Sequence, residues 1–426
     1  MKVYLETYGC AANQAHSEVM KGLLSRAGGQ VVENEDIADM LILNSCIVKS
    51  PTENRIIHRL KEWKEEYPNK EMIIAGCMPQ AEYDRTVEFA PHASLVGPNN
   101  CRDIAKAVRK TMEGERVEYL DGRREEKLCL PRIRGNDLID ICEIAQGCPG
   151  NCSYCQVKFA KGGLKSYDPD KIVKEVSQSL NVGCREVWIT AQDTASYGRD
   201  IGTSLPELLE KITKLSGNFR VRVGMMNVNT LKPILDELIE VYKSEKIYSF
   251  LHLPLQSGSD KILEKMNRKY TVEEWKKVVK RFRKEVPELN LWTDVIVGFP
   301  GETGEEFKDT KEVLKDLRPE HTNVSRFGAR PGTEAKEMEQ LDTEVKKSRS
   351  EELSELVKKI SKEEKGNLVE EKRKVLVLGK EEGKNQWKGR DTSYRPVVLD
   401  SKEDLKGKFV TVVVEDFGET YLRAKK

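Results

Sequence analysis

Three cysteines in the middle of the chain have a spacing that suits metal chemistry. Cys148, Cys152 and Cys155 form a C-x-x-x-C-x-x-C pattern, and three thiolates on one short loop can bind three irons of a 4Fe-4S cluster. Because the loop supplies no fourth ligand, one iron stays open and can chelate the amine and the carboxylate of S-adenosylmethionine. A structural zinc site is the alternative, although zinc normally takes four nitrogen or sulfur ligands. Cys142 and Cys184 could complete such a site, but each is more simply a buried core thiol.

Three further cysteines lie far apart in the sequence but at equivalent places. Cys10, Cys46 and Cys77 each follow a short apolar run that predicts a strand. The carboxyl ends of parallel strands meet at one edge of a sheet, so these thiols are expected to converge there. They would then hold a second 4Fe-4S cluster, again with one open iron. The alternative is three ordinary buried cysteines, and Cys101 and Cys129, which have no partner pattern, are expected to be structural.

Two series of alternating strands and helices are expected to position these thiols. In residues 1–120, apolar runs of about four residues alternate with helical patterns, which predicts an α/β domain with a parallel sheet. A second series over residues 135–365 predicts six strands, too few for a complete eight-stranded barrel, and hence a partial (β/α)6 barrel. The C-x-x-x-C-x-x-C loop follows its first strand, at the end where barrel enzymes place their active sites.

The C-terminal tail has a hydrophobic pattern different from that of the two preceding series. After a charged helical stretch, residues 368–426 contain short β-type runs between turns, which predicts a small all-β barrel. Residues 372–426 hold fourteen Lys and Arg against nine Asp and Glu, a net charge of +5. Basic residues interleaved with aromatic ones suit single-stranded or loop RNA; a solvated loop around a buried Trp is the alternative. The RNA-contact candidates are Lys388, Arg390, Tyr394 and Arg395, beside Lys384 and Trp387.

Composition narrows the possible classes. The net charge of the 426 residues is only +1, which excludes a globally polycationic nucleic-acid coat. No apolar run approaches the ~18 residues of a membrane span, and the N-terminus has no signal-peptide core. We therefore expect a cytoplasmic protein with reduced thiols and no membrane partner, so its ten cysteines indicate metal binding or catalysis rather than disulfides.

Taken together, the two cysteine sets and the basic tail resemble the radical S-adenosylmethionine methylthiotransferase family. Its members have an N-terminal cluster domain, a radical S-adenosylmethionine barrel and a C-terminal TRAM domain. Residues 192–202 and 158–162 are most similar to the archaeal and eukaryotic branch, which acts on threonylcarbamoyladenosine in tRNA. Lys161 departs from the family, which usually has Arg there. Further segments that carry the resemblance are 8–13, 189–193, 252–259, 297–303 and 330–333.

The resemblance implies a reaction and its cofactors. A methylthio group would be added to carbon 2 of N6-threonylcarbamoyladenosine beside the anticodon, with two 4Fe-4S clusters and S-adenosylmethionine. That C–H bond is not acidic, so a cofactor-derived radical is expected to remove the hydrogen. The cluster on Cys148, Cys152 and Cys155 would start the radical, and the other cluster would deliver methylated sulfur. The implied partners are the tRNA anticodon loop, a sulfur source and an electron donor such as ferredoxin or flavodoxin.

Other substrates and classes remain open from the sequence. One alternative is methylthiolation of another tRNA adenosine or of a ribosomal protein side chain. A non-enzymatic iron–sulfur protein that binds RNA or carries electrons is a different class, which the full-length resemblance disfavours.

Several residues at strand ends are candidates for contacts with S-adenosylmethionine. Gln192 and Asp193 could accept hydrogen bonds from its ammonium group, and Gln256 and Ser257 could meet the ribose or the carboxylate. The alternatives are a helix cap at Asp193 and a simple turn at the latter pair.

Two loops add further candidates. Gly298 and Gly301 would let the backbone approach the cofactor closely, unless their segment is only a loop before a helix. Arg330 could clamp a carboxylate or a phosphate, and the alternative is an exposed loop arginine.

Overall fold

A parallel sheet forms the first part of the chain. The structure is a computed structural model and describes residues 1–48, 50–124, 126–381, 383 and 385–426. The N-terminal sheet has the strands β1 (Lys2–Thr7), β2 (Gln30–Val32), β3 (Met40–Ser45), β4 (Glu71–Gly76), β5 (Ser94–Val96) and β6 (Glu118–Tyr119). Its helices are α1 (Ala11–Arg26), α2 (Ser50–Glu66), α3 (Cys77–Ala81), α4 (Tyr83–Phe89) and α5 (Ile104–Met112).

The sheet order places β1, β3 and β4, the strands that precede Cys10, Cys46 and Cys77, next to one another. The strands follow one another as β2-β1-β3-β4-β5-β6, and each neighbouring pair is parallel. Strand β3 is central and buried along its whole length, as an apolar run in a parallel sheet should be. Strands β2 and β6 were not predicted because they contain only three and two residues, too few to show a periodicity.

The middle of the chain forms the partial barrel. Its strands are β7 (Ile139–Glu143), β8 (Ala145–Gln146), β9 (Lys165–Ser166), β10 (Glu186–Thr190), β11 (Arg220–Val223), β12 (Phe250–His252), β13 (Asn290–Val297) and β14 (His321–Arg326). Its helices are α6 (Val157–Lys161), α7 (Pro169–Asn181), α8 (Leu205–Thr213), α9 (Val228–Leu231), α10 (Leu235–Tyr242), α11 (Asp260–Lys265), α12 (Val272–Glu285), α13 (Gly304–Leu317), α14 (Glu334–Glu337) and α15 (Thr343–Gly366). In the described residues, six parallel strands run as β7-β10-β11 and β12-β13-β14, joined by a parallel bridge between Val221 and Ile247. The predicted partial (β/α)6 barrel is confirmed.

Local sequence signals set the ends of its helices. Helices α12 and α13 both begin with a capping box, from Thr271 with Glu274 and from Thr303 with Glu306, which satisfies otherwise unpaired N–H groups. Strand β13 alternates between buried residues and partly exposed ones, so one of its faces packs on the helices. Its other face lines the barrel interior. No helix among the described residues is long and apolar enough to cross a membrane.

The tail folds as the predicted small all-β barrel, called here the C-terminal barrel. Its strands are β15 (Lys372–Lys380), β16 (Gln386–Asp391), β17 (Pro396–Asp400), β18 (Phe409–Phe417) and β19 (Leu422–Lys425). They close in the order β15-β16-β17-β19-β18. Strand β16 was not predicted, because its sequence is mostly polar. It pairs on both sides, and Trp387 is buried in the barrel core.

The C-terminal barrel docks on the partial barrel through the turn at residues 391–395, called here the plug turn. The Tyr394 ring packs against Tyr248 and Phe250, with ring centroids 5.2 and 4.9 Å apart. The backbone N–H of Ser249 donates to Thr392 O at 2.9 Å. Because Phe250 begins strand β12, the plug turn lies at the amino-terminal ends of the barrel strands, opposite the end that carries the C-x-x-x-C-x-x-C loop.

This docking corrects two predicted RNA contacts. Tyr394 and Arg395 are 5% and 6% exposed, and the Arg395 guanidinium binds Glu320 and Asp391. Neither side chain can stack on a base or reach a phosphate in this arrangement, so the prediction of RNA contact is wrong for both. Lys388 is exposed, and Arg390 is half-buried over the Tyr394 ring. Lys384 lies outside the described residues.

Candidate functional site

The segment of residues 147–155, called here the cysteine loop, leaves the barrel directly after β7 and β8. Gly147 has a φ of +76°, and a Cβ atom there would lie 2.0 Å from Gly163 O, so glycine is required. Its N–H donates to Gln192 Oε1 at 2.6 Å. The predicted cofactor residue Gln192 therefore fixes the start of the loop that carries Cys148.

Donors surround the thiols of the cysteine loop. The N–H of Gly150 points at Cys148 Sγ at 3.3 Å, and Arg268 Nη1 donates to Cys152 Sγ at 3.3 Å. Burial, reinforced by the Asp193 carboxylate, raises the pKa of the Cys148 thiol to about 12. A metal that binds this thiol replaces its proton. Sulfur atoms that receive N–H donors fit a cluster ligand set.

Arg268 was missed by the sequence reasoning. Its Nη2 donates to Asn227 Oδ1 at 2.7 Å and its Nε to the Tyr270 hydroxyl at 3.2 Å. These contacts hold the guanidinium against Cys152. No sequence pattern marks this arginine, because it follows α11 in the chain and meets the loop only through the fold.

Asp193 is buried close to the cysteine loop and binds residues at the start of α9. Its carboxylate accepts the Asn227 N–H at 3.0 Å and the Thr230 hydroxyl at 2.7 Å. Burial raises the pKa of this carboxyl. These contacts reach the start of α9, whereas the Asp193 side chain makes no hydrogen bond that caps the short 3-10 turn at residues 194–196.

Gln256 is held in an uncommon backbone conformation at the end of β12. Its φ is +67°, while its N–H donates to Asp294 O at 2.8 Å and its O accepts the Ile296 N–H at 2.9 Å. Its buried Oε1 has no hydrogen-bond partner among the described residues. An unpartnered buried acceptor on a strained residue is a common mark of a ligand site. Ser257 next to it accepts the Ser259 N–H at 3.2 Å.

The predicted glycine loop packs against α15. Gly298 has a φ of +70°, and a Cβ there would lie 2.5 Å from Lys346 Cγ. Its N–H donates to the Glu302 carboxylate, which also accepts from Arg349 Nη1 at 2.8 Å. The structure therefore gives Gly298 a packing role. A Cβ on Gly301 would similarly meet the Lys265 side chain.

Arg330 is neither an exposed loop residue nor open to solvent. It is 8% exposed, and its guanidinium forms an ion pair with Glu53 of α2. The exposed-arginine alternative is wrong, because this contact joins the partial barrel to the N-terminal sheet. The same guanidinium lies close enough to Cys46 for an electrostatic interaction.

Cys10, Cys46 and Cys77, called here the N-terminal thiol set, lie at the carboxyl ends of the adjacent strands β1, β3 and β4. Gly9 has a φ of +118°, and a Cβ there would lie 2.7 Å from Cys46 Cβ. The strand ends therefore approach each other more closely than a side chain at position 9 allows.

Asn13 ties these strand ends together. Its Nδ2 donates to Tyr8 O at 2.9 Å and to Ser45 O at 2.8 Å, and its Oδ1 accepts from Cys77 Sγ at 3.9 Å. Burial raises the pKa of Cys77 to about 12 and also raises the pKa of Cys46. Cys46 and Cys77 are buried and Cys10 is exposed, and three thiols at one edge of the sheet fit a metal ligand set once a metal replaces their protons.

Helix α6 connects the two cysteine sets. It begins two residues after Cys155 and packs against α3, the helix that begins with Cys77. Ala160 of α6 belongs to the same buried apolar cluster as Cys46 and Cys77. The N-terminal thiol set therefore faces the partial barrel on the side of the cysteine loop.

A buried polar network beside α6 was also not predicted from the sequence. Glu143 Oε2 binds His16 Nε2 at 3.0 Å, Lys127 Nζ at 3.2 Å and the Tyr167 hydroxyl at 3.0 Å. Burial opposes ionisation of Glu143, but the cations around it, with Lys127 the strongest, hold its pKa well below its usual value. The sequence does contain a signal for this network. Glu143 ends an apolar strand, and a buried carboxylate needs polar or charged partners.

Comparisons with known proteins agree with this fold. The family model described as the Radical SAM superfamily matches residues 142–314, and the one described as Uncharacterized protein family UPF0004 matches residues 2–97. The radical S-adenosylmethionine methyltransferase TsrM from Kitasatospora setae, solved with cobalamin and a 4Fe-4S cluster bound, has a similar fold. Its TM-score is 0.56 at 15% identity, over 79% of this chain and 77% of that one.

Full-length relatives are more similar. A probable threonylcarbamoyladenosine tRNA methylthiotransferase from Methanothermobacter thermautotrophicus is 42% identical over 426 residues, which is 100% of this chain and 99% of the relative. The threonylcarbamoyladenosine tRNA methylthiotransferase from Homo sapiens is 34% identical over 432 residues, covering 100% of this chain and 74% of the relative. This chain therefore belongs to the threonylcarbamoyladenosine tRNA methylthiotransferase family, within the radical S-adenosylmethionine superfamily.

Proposed function

We propose that this chain is an enzyme that adds a methylthio group to carbon 2 of N6-threonylcarbamoyladenosine next to the anticodon of tRNA. Membership of the family supports this substrate. The observation that carries the proposal is the pair of three-thiol sets at the two ends of α6, since the reaction needs a radical source and a sulfur donor close together.

The proposed cofactors are two 4Fe-4S clusters and S-adenosylmethionine. Cys148, Cys152 and Cys155 would hold the cluster that, when bound, would supply the chemistry of one-electron reductive cleavage of S-adenosylmethionine. The N-terminal thiol set would hold the second cluster and present the methylated sulfur. The buried thiols of Cys46 and Cys77, the exposed thiol of Cys10 and the close approach at Gly9 suit this role.

The residues around the cysteine loop would then bind and orient the cofactor. Arg268 reduces the negative charge on Cys152 by donating to its sulfur. Gln256 offers a buried acceptor that a cofactor hydroxyl or ammonium group can satisfy. Asp193, buried close to Cys148, is a second candidate for the ammonium group, whereas Ser257 and Gly298 would shape the adjacent backbone.

The proposed RNA contacts are confined to the exposed side of the C-terminal barrel. Lys388 is exposed there, whereas Arg390 is half-buried beside the plug turn, with its guanidinium 4.7 Å from the centroid of the buried Tyr394 ring. The target base lies in an unpaired loop, so little energy is needed to bring it out of its stack. A cytoplasmic tRNA substrate, a sulfur source and an electron donor such as ferredoxin or flavodoxin complete the proposal.

Nucleoside mass spectrometry tests the proposed function. After expression in a host that lacks the activity, tRNA should contain the methylthio derivative of threonylcarbamoyladenosine, and Cys148→Ala should abolish it together with 5′-deoxyadenosine. A methylthio group found on another adenosine or on a ribosomal peptide would mean that the proposed substrate is wrong. The absence of any modified product would indicate a carrier protein instead of an enzyme. Cys184→Ala is the matched control, because this buried thiol lies outside both sets.

A further inference from the structure

Lys161 at the end of α6 is a buried ammonium group without an adequate partner. It is 1% exposed, and its Nζ has no hydrogen-bond partner in the described part of the chain. The nearest opposite charge is Glu143 Oε1, at 3.8 Å. A buried charge is stable only when it is paired, so the surroundings of Lys161 determine its role.

The polar network around Glu143 contains one more positive charge than negative charges. Lys127 and Lys161 both lie beside this single carboxylate. His16 does not add a charge, because burial lowers its pKa to about 3, and Tyr167 and Gln146 are neutral partners. Among the described groups of this network, two ammonium groups therefore face one carboxylate.

The neighbouring charge cluster does not correct this excess. Arg330 and Arg85 bind Glu53, and Arg85 also binds Glu82. Two guanidinium groups and two carboxylates balance one another there, so that group supplies no spare anion to Lys161.

The remaining groups near Lys161 are thiols. Cys77, Cys10 and Cys101 all interact electrostatically with its ammonium group, and the preceding residue, Ala160, packs in the same apolar cluster as Cys77. Neutral thiols cannot balance a cation. A 4Fe-4S cluster with a doubly positive core and three thiolates, however, has one net negative charge, which matches the excess.

We propose that Lys161 is the counter-charge of an anionic cluster on Cys10, Cys46 and Cys77, so that the partial barrel contributes a positioning residue to the N-terminal site. The inference rests on the proposed function, because it assumes the second cluster. A buried cation next to a cluster stabilises its more negative, reduced form. Lys161 therefore raises the reduction potential of the N-terminal cluster relative to a chain without this charge.

The test isolates the N-terminal cluster in the full-length chain. Replacing Cys148, Cys152 and Cys155 together by Ala leaves one cluster site, and the chain is reconstituted anaerobically and assayed for iron and sulfide. A potentiometric titration followed by electron paramagnetic resonance then gives the reduction potential. Lys161→Met removes the charge and Lys161→Arg keeps it. Lys158→Met is the matched control, since this exposed lysine lies on the same helix.

We expect Lys161→Met to lower the equilibrium constant for reduction of the N-terminal cluster at least tenfold. For a one-electron couple this is a shift of the reduction potential by about 59 mV to lower values. Lys161→Arg and Lys158→Met should keep the parent potential. A folded Lys161→Met chain that binds no iron, while Lys161→Arg binds it, also supports the inference. If Lys161→Met does not fold, Lys161→Gln replaces it with the same expected shift.

Two results would count against different claims. An unchanged potential in Lys161→Met, with full iron content, overturns the role of Lys161 and leaves the second cluster intact. A parent chain that holds no iron at the N-terminal thiol set instead removes the second cluster from the proposed function.

Discussion

At the residue scale, glycines before cysteines determine how closely the thiols can approach. Gly9, Gly76 and Gly147 each precede a cysteine and each have a positive φ. A Cβ at Gly76 would lie 2.4 Å from Asn44 Oδ1. The sequence shows the Gly-Cys pairs, but only the folded backbone shows that both the dihedral angle and the close approach exclude a side chain.

Gly9→Ala tests this requirement. The change adds the strain of a positive φ and a contact of 2.7 Å with Cys46 Cβ, and we expect a loss of about 1–3 kcal/mol in the free energy of unfolding. Iron binding at the N-terminal thiol set should fall as well. The measurements are urea unfolding and the iron content of the reconstituted chain.

Gly28→Ala is the control for strain alone. Gly28 has a φ of +87°, but nothing lies within 4 Å of a Cβ there. This variant should lose some stability and keep its iron. If Gly9→Ala binds iron as well as Gly28→Ala does, close approach at position 9 does not matter for the site.

At the element scale, apolar periodicity predicted most of the strands and helices. The strands of the partial barrel and helices such as α12 and α13 follow from apolar runs and capping residues. Strand β16 was missed because Lys388, Gly389 and Arg390 hide its alternation. The contacts of Arg268 with Cys152 and of Lys161 with Glu143 could not be predicted, since each joins residues on different elements that only the fold brings together.

The network between α1 and β7 predicts a pH dependence of stability. Burial lowers the pKa of His16 from 6.5 to about 3 in the folded chain, so between these values the unfolded chain binds a proton that the folded chain does not. Stability therefore falls as the pH drops from about 6.5, by up to about 1.4 kcal/mol per pH unit for one proton. Urea unfolding at pH 7 and at pH 5.5 measures this slope.

His16→Gln should flatten the slope over this interval, where Glu143, with its lowered pKa, remains ionised. His58→Gln is the control, because the His58 side chain is 76% exposed. An equal slope in His16→Gln and the parent chain would mean that His16 is not buried in its neutral form.

At the scale of the whole molecule, three units are joined by buried contacts at both ends of the partial barrel. Helix α6, the Arg330–Glu53 ion pair and the Glu143 network attach the N-terminal sheet near the cysteine loop. The plug turn attaches the C-terminal barrel at the opposite end. An RNA that contacts both the C-terminal barrel and the cysteine loop must therefore extend along the length of the partial barrel.

Tyr394→Ala tests whether this anchoring matters. The ring fills the amino-terminal end of the partial barrel between Tyr248, Phe250, Trp188 and Trp292. Its removal should cost about 3–5 kcal/mol of unfolding free energy and speed hydrogen exchange at residues 391–395. Methylthio product should fall while cleavage of S-adenosylmethionine is kept, because only the position of the C-terminal barrel, the proposed RNA-binding unit, changes. Tyr421→Ala is the control, as this partly exposed tyrosine belongs to the same barrel but not to the plug turn. If Tyr394→Ala keeps full product formation despite faster exchange, a fixed C-terminal barrel is not needed to place the substrate at the cysteine loop.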